Sequence, residues 1–166
     1  MTTFNTCDLL DNNETKSIQV LYPNLNGAFF RPFGGKTAFC GQIVTVKCFE
    51  DNSRVKELLA TDGTGKVLVV DGGASFRCAL MGDMIAESAV KNHWQGVIIY
   101  GCVRDVDALA SLDLGVYALA AIPQKSVRKG VGDVGVVLSI GNVKFHQDDY
   151  VYADNNGIIV CSEPLI

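Results

Sequence analysis

Histidine is scarce in this 166-residue sequence, with only His93 and His146, and none of its six cysteines (Cys7, Cys40, Cys48, Cys78, Cys102, Cys161) falls in a Cys-x-x-Cys pair. That excludes a zinc-type cluster of nitrogen and sulfur ligands, and the cysteines read as reduced thiols that mostly fill the core. Positive charge is also short. Lys and Arg number 14 against 18 Asp and Glu, for a net charge of −4, which argues against direct binding of nucleic acid or of an anionic membrane. Long apolar runs are missing too. Val67–Val70, Val97–Tyr100 and Val116–Ile122 fall far short of the roughly 20 residues a membrane-spanning helix needs. The opening MTTFNTCDLLDNNE carries acidic residues where an export signal has positive charge and an apolar run, so a cytoplasmic location is expected. What is present is 48% hydrophobic sequence, enough to exclude general disorder, and 17 glycines, which imply many tight turns. One compact domain over 1–166 is expected at this length.

The first 35 residues mix a short helix around Cys7–Leu10 with turn signals at Tyr22-Pro23-Asn24, Asn26-Gly27, Arg31-Pro32 and Gly34-Gly35. Ala38–Phe49 is rich in β-branched and aromatic residues and suits a long strand, and Asn52 or Ser53 can cap a helix running to Leu59. In the middle of the chain, Val67–Val70 reads as a buried strand, Asp71–Met81 as a loop and Asp83–Asn92 as a helix. Gly96–Tyr100 is another buried strand, and together these make a βαβ unit. A helix over Val106–Leu112 and a strand over Val116–Ala121 extend the theme, with parallel neighbours. Beyond Pro123, Val134–Ile140, Val143–Phe145, Tyr150–Tyr152 and Ile158–Cys161 are short strands separated by turn residues, which predicts an antiparallel hairpin portion on an α/β domain.

Topology then brings two distant loops together. In a βαβ unit the helix runs antiparallel to both strands, so its N-terminus lies beside their C-terminal ends. Gly82-Asp83-Met84-Ile85 opens the helix, Gly101–Asp105 follows the strand, and 20 residues separate Asp83 from Arg104. Such a corner offers amide donors at a helix N-terminus, one guanidinium and two carboxylates. The amides and Arg104 suit the carboxylate of an α-keto acid. Asp105 is a hard oxygen ligand suited to Mg²⁺ or Mn²⁺ with retained waters, and Asp83 can orient or deprotonate one of those waters.

Each residue also has a plain reading. Arg104-Asp105 can be a surface ion pair, Asp83 a helix-start residue, and Asp71-Gly72-Gly73 a strand-exit turn. Arg77 can cap its loop, Glu87 sits on a solvated helix face, and His93 can face the helix C-terminal dipole. Cys102 lies near a cation that would lower its pKa, but has no histidine close in sequence to serve as its base. Lys125, Arg128 and Lys129 form the one basic cluster, read as a solvated loop or a partner-binding patch.

The run VLVVDGGASFRCALMGDMIAESAVKNHWQGVIIYGCVRDVD, with CGQIVTVKCFEDN before it and YVYADNNGIIV near the end, closely resembles the RraA-like family. That family includes the regulator of ribonuclease activity A and metal-dependent 4-hydroxy-4-methyl-2-oxoglutarate (and 4-carboxy-4-hydroxy-2-oxoadipate) aldolases. The resemblance implies a swivelling β/β/α domain assembling into a ring-shaped homotrimer with sites between subunits. Its enzymatic members share an Asp, 20 residues, then Arg-Asp, matched here by Asp83, Arg104 and Asp105. By that resemblance Gly82, Asp83, Met84 and Ile85 contact substrate, Arg104 binds the keto acid, and Asp105 ligates the divalent metal. The expected activity is a class II aldolase, an oxaloacetate decarboxylase, or both. The alternative is a non-catalytic inhibitor that binds a ribonuclease of the ribonuclease E type.

Overall fold

The computed structural model describes residues 3–166. Its elements in chain order are α1 (Thr6–Asp11), β1 (Ile18–Val20), β2 (Arg31–Pro32), β3 (Phe39–Lys47), α2 (Ser53–Leu59), β4 (Lys66–Asp71), β5 (Ala79–Met81), α3 (Asp83–Lys91), β6 (Gly96–Val103), α4 (Val106–Leu109), β7 (Gly115–Ala121), β8 (Asp133–Val134), β9 (Leu138–Ile140), β10 (Val143–Phe145), β11 (Tyr150–Asp154) and β12 (Gly157–Cys161).

Strands β3, β4, β6 and β7 run parallel at the centre of one sheet ordered β1-β12-β11-β3-β4-β6-β7-β2, with antiparallel pairing toward both edges. Side chains alternate between two cores, as the period-two geometry of a strand requires. Leu68, Val70, Val97 and Ile99 pack with Val55 and Leu59 of α2 and Ile85, Ala86 and Ala89 of α3. Val67, Val69 and Ile98 face the other way, against Leu138, Ile140, Val143 and Phe145 of the separate β9–β10 hairpin. The result is the three layers expected of a β/β/α domain: hairpin, sheet, helices. Gly96 and Gly115 close one end of the sheet by flanking the Phe39 ring. A Cβ on either would stand 2.3 or 2.0 Å from a ring carbon, so no larger residue fits there.

Several boundaries differ from the sequence reading. The segment 71–81 is not all loop. Ala79–Met81 forms β5, which pairs with Cys102 and Val103 in the lane that β4 vacates after Asp71. Strand β6 accordingly runs to Val103 rather than stopping at Tyr100, with a register shift against β7 between Ile99 and Cys102. Only Arg104 and Asp105 therefore remain at the mouth of the strand. Helix α4 is a single turn, and 134–140 is broken into β8 and β9, with β8 extending the edge of β3 at Val46 and Lys47. The late strands divide their work: β9–β10 form the hairpin layer, whereas β11 and β12 join the main sheet. All six cysteines are free, four of them buried. Among the described residues no helix is long and apolar enough to cross a membrane.

Candidate functional site

The end of β6 and the start of α3 meet as the βαβ topology requires. The Arg104 amide donates to the Met81 carbonyl at 3.0 Å, which clamps the strand exit against β5. The chain then turns through Asp105, a non-glycine residue in the left-handed region (φ 56°, ψ 43°). Aspartate is among the few residues that occupy this region at modest cost, and strain of this kind is held where the surrounding structure fixes it. The turn carries the Asp105 carboxylate over the N-terminus of α3, where its Oδ2 accepts the Asp83 amide at 2.9 Å. Asp105 thus supplies from another loop the cap that Gly82, the residue in the N-cap position, cannot provide. Asp83 Oδ1 in turn accepts the Met84 amide at 2.7 Å.

All six residues singled out from the sequence, Gly82, Asp83, Met84, Ile85, Arg104 and Asp105, line one cavity of about 600 Å³. The cluster of bare amides expected there is only half realised. The Asp83 and Met84 N–H groups are taken by carboxylates, while those of Gly82 and Ile85 have no acceptor among the described residues. Arg104 is not locked into a closed ion pair. Its Nε lies 3.9 Å from Asp105 Oδ2, and both side chains stay more than a third exposed. Asp105 Oδ1 accepts no hydrogen bond among the described residues, which leaves one carboxylate oxygen free at the cavity.

A further stretch of the lining, next to the Pro123 carbonyl that accepts from Arg104 Nη1 at 3.5 Å, is the feature that sequence reasoning missed. Lys125, Ser126, Val127, Arg128 and Lys129 line the same cavity, together with Asn52. No pattern in the sequence joins residues 124–131 to 50–53 and 79; the fold does so through hydrogen bonds. The Gln124 carbonyl accepts the Ala79 amide at 2.8 Å, Val127 exchanges backbone bonds with Glu50 and Asn52, and Gly130 N–H donates to Ser53 Oγ at 2.9 Å. Asp51 is the anchor. Its Oδ2 accepts the amides of Lys129 (2.8 Å) and Val131 (3.3 Å), and its Oδ1 accepts the amide and hydroxyl of Ser53 at 2.9 and 2.6 Å.

Burial alone would raise the Asp51 pKa, but these donors outweigh it and hold the carboxyl at about 2. A folded-state pKa below the unfolded value of roughly 3.9 gives stability that is present above pH 4 and is lost as pH falls through 2. Asp51→Asn is expected to cost about 2 kcal/mol near neutral pH and to flatten the acid limb of stability between pH 4 and 2. Urea denaturation of both proteins at a series of pH values measures this.

Other residues take their plain readings. Asp71 Oδ1 accepts the Gly73 amide at 2.9 Å, closing a strand-exit turn with Gly73 at φ 66°. Arg77 pairs with Glu50 at 2.5 Å and lies over the Phe49 ring. Glu87 is exposed on its helix, and His93 follows the end of α3 in the left-handed region. The expectation for Cys102 is corrected. It lies inside β6, fully buried, and burial pushes its thiol pKa up rather than down.

Among the described residues, no three His, Cys, Asp or Glu side chains converge as a complete metal cage. A single aspartate oxygen open to a polar, water-accessible cavity fits a hard cation such as Mg²⁺ or Mn²⁺, which keeps several waters and takes further oxygens from its substrate. It does not fit zinc.

The chain matches the profile of the RraA-like family (Aldolase/RraA) over residues 6–160. It is 73% identical over 163 residues to an Acinetobacter baylyi protein named "Putative 4-hydroxy-4-methyl-2-oxoglutarate aldolase", covering 98% of this chain and 96% of that one. An Alcanivorax borkumensis protein of the same name is 58% identical, with 99% of each chain covered. Two solved structures share the fold over 98% of this chain. One, from Geobacillus kaustophilus, is titled an S-adenosylmethionine:2-dimethylmenaquinone methyltransferase (TM-score 0.91, 41% identity, 97% of that chain). The other is the RNA-processing inhibitor RraA of Thermus thermophilus (TM-score 0.90, 37% identity, 95% of that chain). With its three-layer fold and a profile match that runs nearly end to end, the chain belongs to the RraA-like family.

Proposed function

We propose that the protein is a divalent-metal-dependent carbon–carbon lyase that releases pyruvate from 2-oxo acids, by retro-aldol cleavage of 4-hydroxy-4-methyl-2-oxoglutarate, decarboxylation of oxaloacetate, or both. One observation carries this reading: a guanidinium, a carboxylate with an unused oxygen and two open amides share one cavity wall at the mouth of β6. The names of the close relatives support the aldol chemistry.

Both reactions break the bond between C3 and C4 of the 2-oxo acid and leave its electron pair on C3, conjugated with the keto group as the enolate of pyruvate. Charge therefore develops on the keto oxygen, and groups already aimed at that oxygen lower the barrier. Mg²⁺ or Mn²⁺ held by Asp105 would supply a positive charge beside the keto and carboxylate oxygens. Arg104 grips the C1 carboxylate with its planar fork, and the open amides of Gly82 and Ile85 at the positive end of α3 add donors that need no reorganisation. In the aldol cleavage Asp83, through a water, takes the proton of the C4 hydroxyl as the second carbonyl forms. C3 of the enolate then takes a proton from water, and Asp83 returns its own to solvent, which gives pyruvate and resets the site. Decarboxylation needs no such base, since the departing group is CO₂. Met84 and Val127, 80% and 51% exposed at the cavity, support a reading in which another subunit covers part of this face.

The test is pyruvate release from oxaloacetate by purified protein with Mg²⁺ or Mn²⁺. Turnover well above the rate with metal alone, abolished by a chelator, is expected; no excess over free metal removes the reading. The likeness to an RNA-processing inhibitor favours a second role, in which this acidic protein binds a basic ribonuclease by surface contact. Ribonuclease inhibition that survives Asp105→Ala identifies that role as separate from the site.

A further inference from the structure

We infer that a second cavity, separate from the Asp105 site, binds a small amphiphilic amine: a primary ammonium on an apolar tail. It opens where α1, the connection from β1 to β2 and the β11–β12 turn meet, holds about 440 Å³, and shares no lining residue with the first cavity. That volume falls in the range of small-molecule sites, roughly 300–1,000 Å³. Three observations carry the inference, and none depends on the lyase reading.

Asp154 is the one charged residue of this lining among the described residues. It is only 7% exposed, and its carboxylate pairs with no Lys, Arg or His among the described residues. Its partners are neutral. Oδ2 accepts the Thr6 amide at 2.7 Å, and Oδ1 accepts the Thr6 hydroxyl and the Asn156 amide at 2.7 and 2.8 Å. Burial works against ionisation, but these donors outweigh it and hold the carboxyl below the usual carboxylate range, so the charge is present at neutral pH. Anchoring α1 and the hairpin turn accounts for those three bonds. It leaves a lone pair of Oδ2 open and a buried charge without a counter-ion, whereas buried charges are normally paired.

The rest of the lining is mostly apolar. Leu21, Tyr117 and Ile158 are buried in it, while Val20, Tyr22 and Phe29 stay 39%, 66% and 49% exposed. Exposed apolar side chains gathered at one concavity mark a binding site where scattered ones do not. Two of these three are aromatic, and a ring face attracts an organic cation. A hard metal ion, which takes six or more oxygens, finds no second carboxylate here among the described residues.

The site is also preformed. Tyr117 Oη donates to the Asp154 carbonyl at 2.7 Å, α1 holds the Asp154 carboxylate through Thr6, and the Tyr22 amide donates to Asn142 Oδ1 at 2.8 Å. The acid and the backbone that bears the aromatic rim are therefore fixed before a ligand arrives, which lowers the ordering cost of binding.

The test is ¹⁵N chemical-shift mapping with 2-phenylethylamine and 2-phenylethanol, which differ only in ammonium for hydroxyl. The amine is expected to bind at least ~10-fold more tightly, the range of a charge-assisted hydrogen bond, with shifts centred on Thr6, Tyr22 and Asn156. Asp154→Asn should abolish that ratio. Because asparagine also weakens the hold on α1, Tyr22→Ala provides an independent variant. The Tyr22 side chain makes no hydrogen bond among the described residues, so Tyr22→Ala should melt as the native protein does while amine affinity falls roughly three-fold. Asp113→Asn, the same loss of charge on a different cavity, should alter neither ligand. Nα-acetyl-lysine amide, the same ammonium on a chain ending in polar amides, should bind more weakly than 2-phenylethylamine. Tighter binding of the lysine derivative assigns Asp154 to a lysine of a protein partner and overturns the small amine. Equal affinity for amine and alcohol, shifts that map to the Asp105 cavity, a ratio that survives Asp154→Asn, or unchanged amine affinity in Tyr22→Ala overturns the site.

Discussion

Asp105→Asn is expected to lower pyruvate-forming turnover by at least ~10³-fold, about 4 kcal/mol of barrier, while the protein stays folded with nearly native stability. The two halves of this expectation come from different properties of one residue. The carboxylate contributes a negative charge and the free Oδ1, and an amide has neither the charge nor the affinity for a hard cation. The backbone at φ 56° and the capping of the Asp83 amide at 2.9 Å are conformational duties, and asparagine performs both. Asp105→Ala should lose the same activity and also about 1–2 kcal/mol of stability, because alanine disfavours the left-handed region and leaves the Asp83 amide uncapped. Turnover measured beside thermal denaturation of the three proteins separates charge from scaffold. An Asp105→Asn protein that keeps a tenth or more of the native rate would remove Asp105 from the chemistry.

A single methyl group at Gly82 should be nearly as damaging. The backbone there (φ −125°, ψ −159°) is open to alanine, so the restriction is one of space. A Cβ would stand 2.4 Å from Asp105 Oδ2 and 3.2 Å from Arg104 Cγ. Both side chains must move by an ångström or so to accept it, and a misplacement of that size costs on the order of 10²-fold in rate. Stability should change by less than about 1 kcal/mol, since the displaced groups are partly exposed and alanine reduces the freedom of the unfolded chain. The measurement is kcat/KM for Gly82→Ala against its urea midpoint. Full activity in a folded Gly82→Ala protein would mean that Asp105 and Arg104 need not occupy the observed positions.

Much of this corner was legible in the sequence because the signals were local and the topology is constrained. Apolar strands at Val67–Val70 and Val97–Tyr100 with a helix between them leave one hand of crossover, and that alone places Asp83 beside Asp105. The βαβ pattern does not show how the lane beyond β4 is filled. Ala79–Met81 is too short to announce itself as a strand, and it forms only because β6 continues past Tyr100 and offers an unpaired edge. The same limit hid the basic wall. Lys125, Arg128 and Lys129 read as a solvated loop or a partner-binding patch until Asp51, 78 residues from Lys129, fastens that loop into the lining of the cavity. Cys102 was misjudged for a related reason: neighbours in sequence suggested a cation, but its position inside β6 decides its environment.

The most direct test of the account concerns the enolate itself and requires no choice of physiological substrate. Pyruvate is dissolved in D₂O with Mg²⁺ and catalytic protein, and the methyl resonance is followed by proton NMR. If Arg104, Asp105 and the α3 amides gather around the keto acid as described, the methyl protons exchange for deuterium far faster than with Mg²⁺ alone, and Asp105→Asn returns the rate to that background. Methyl protons that persist at the metal-only rate in the presence of the native protein would contradict the account.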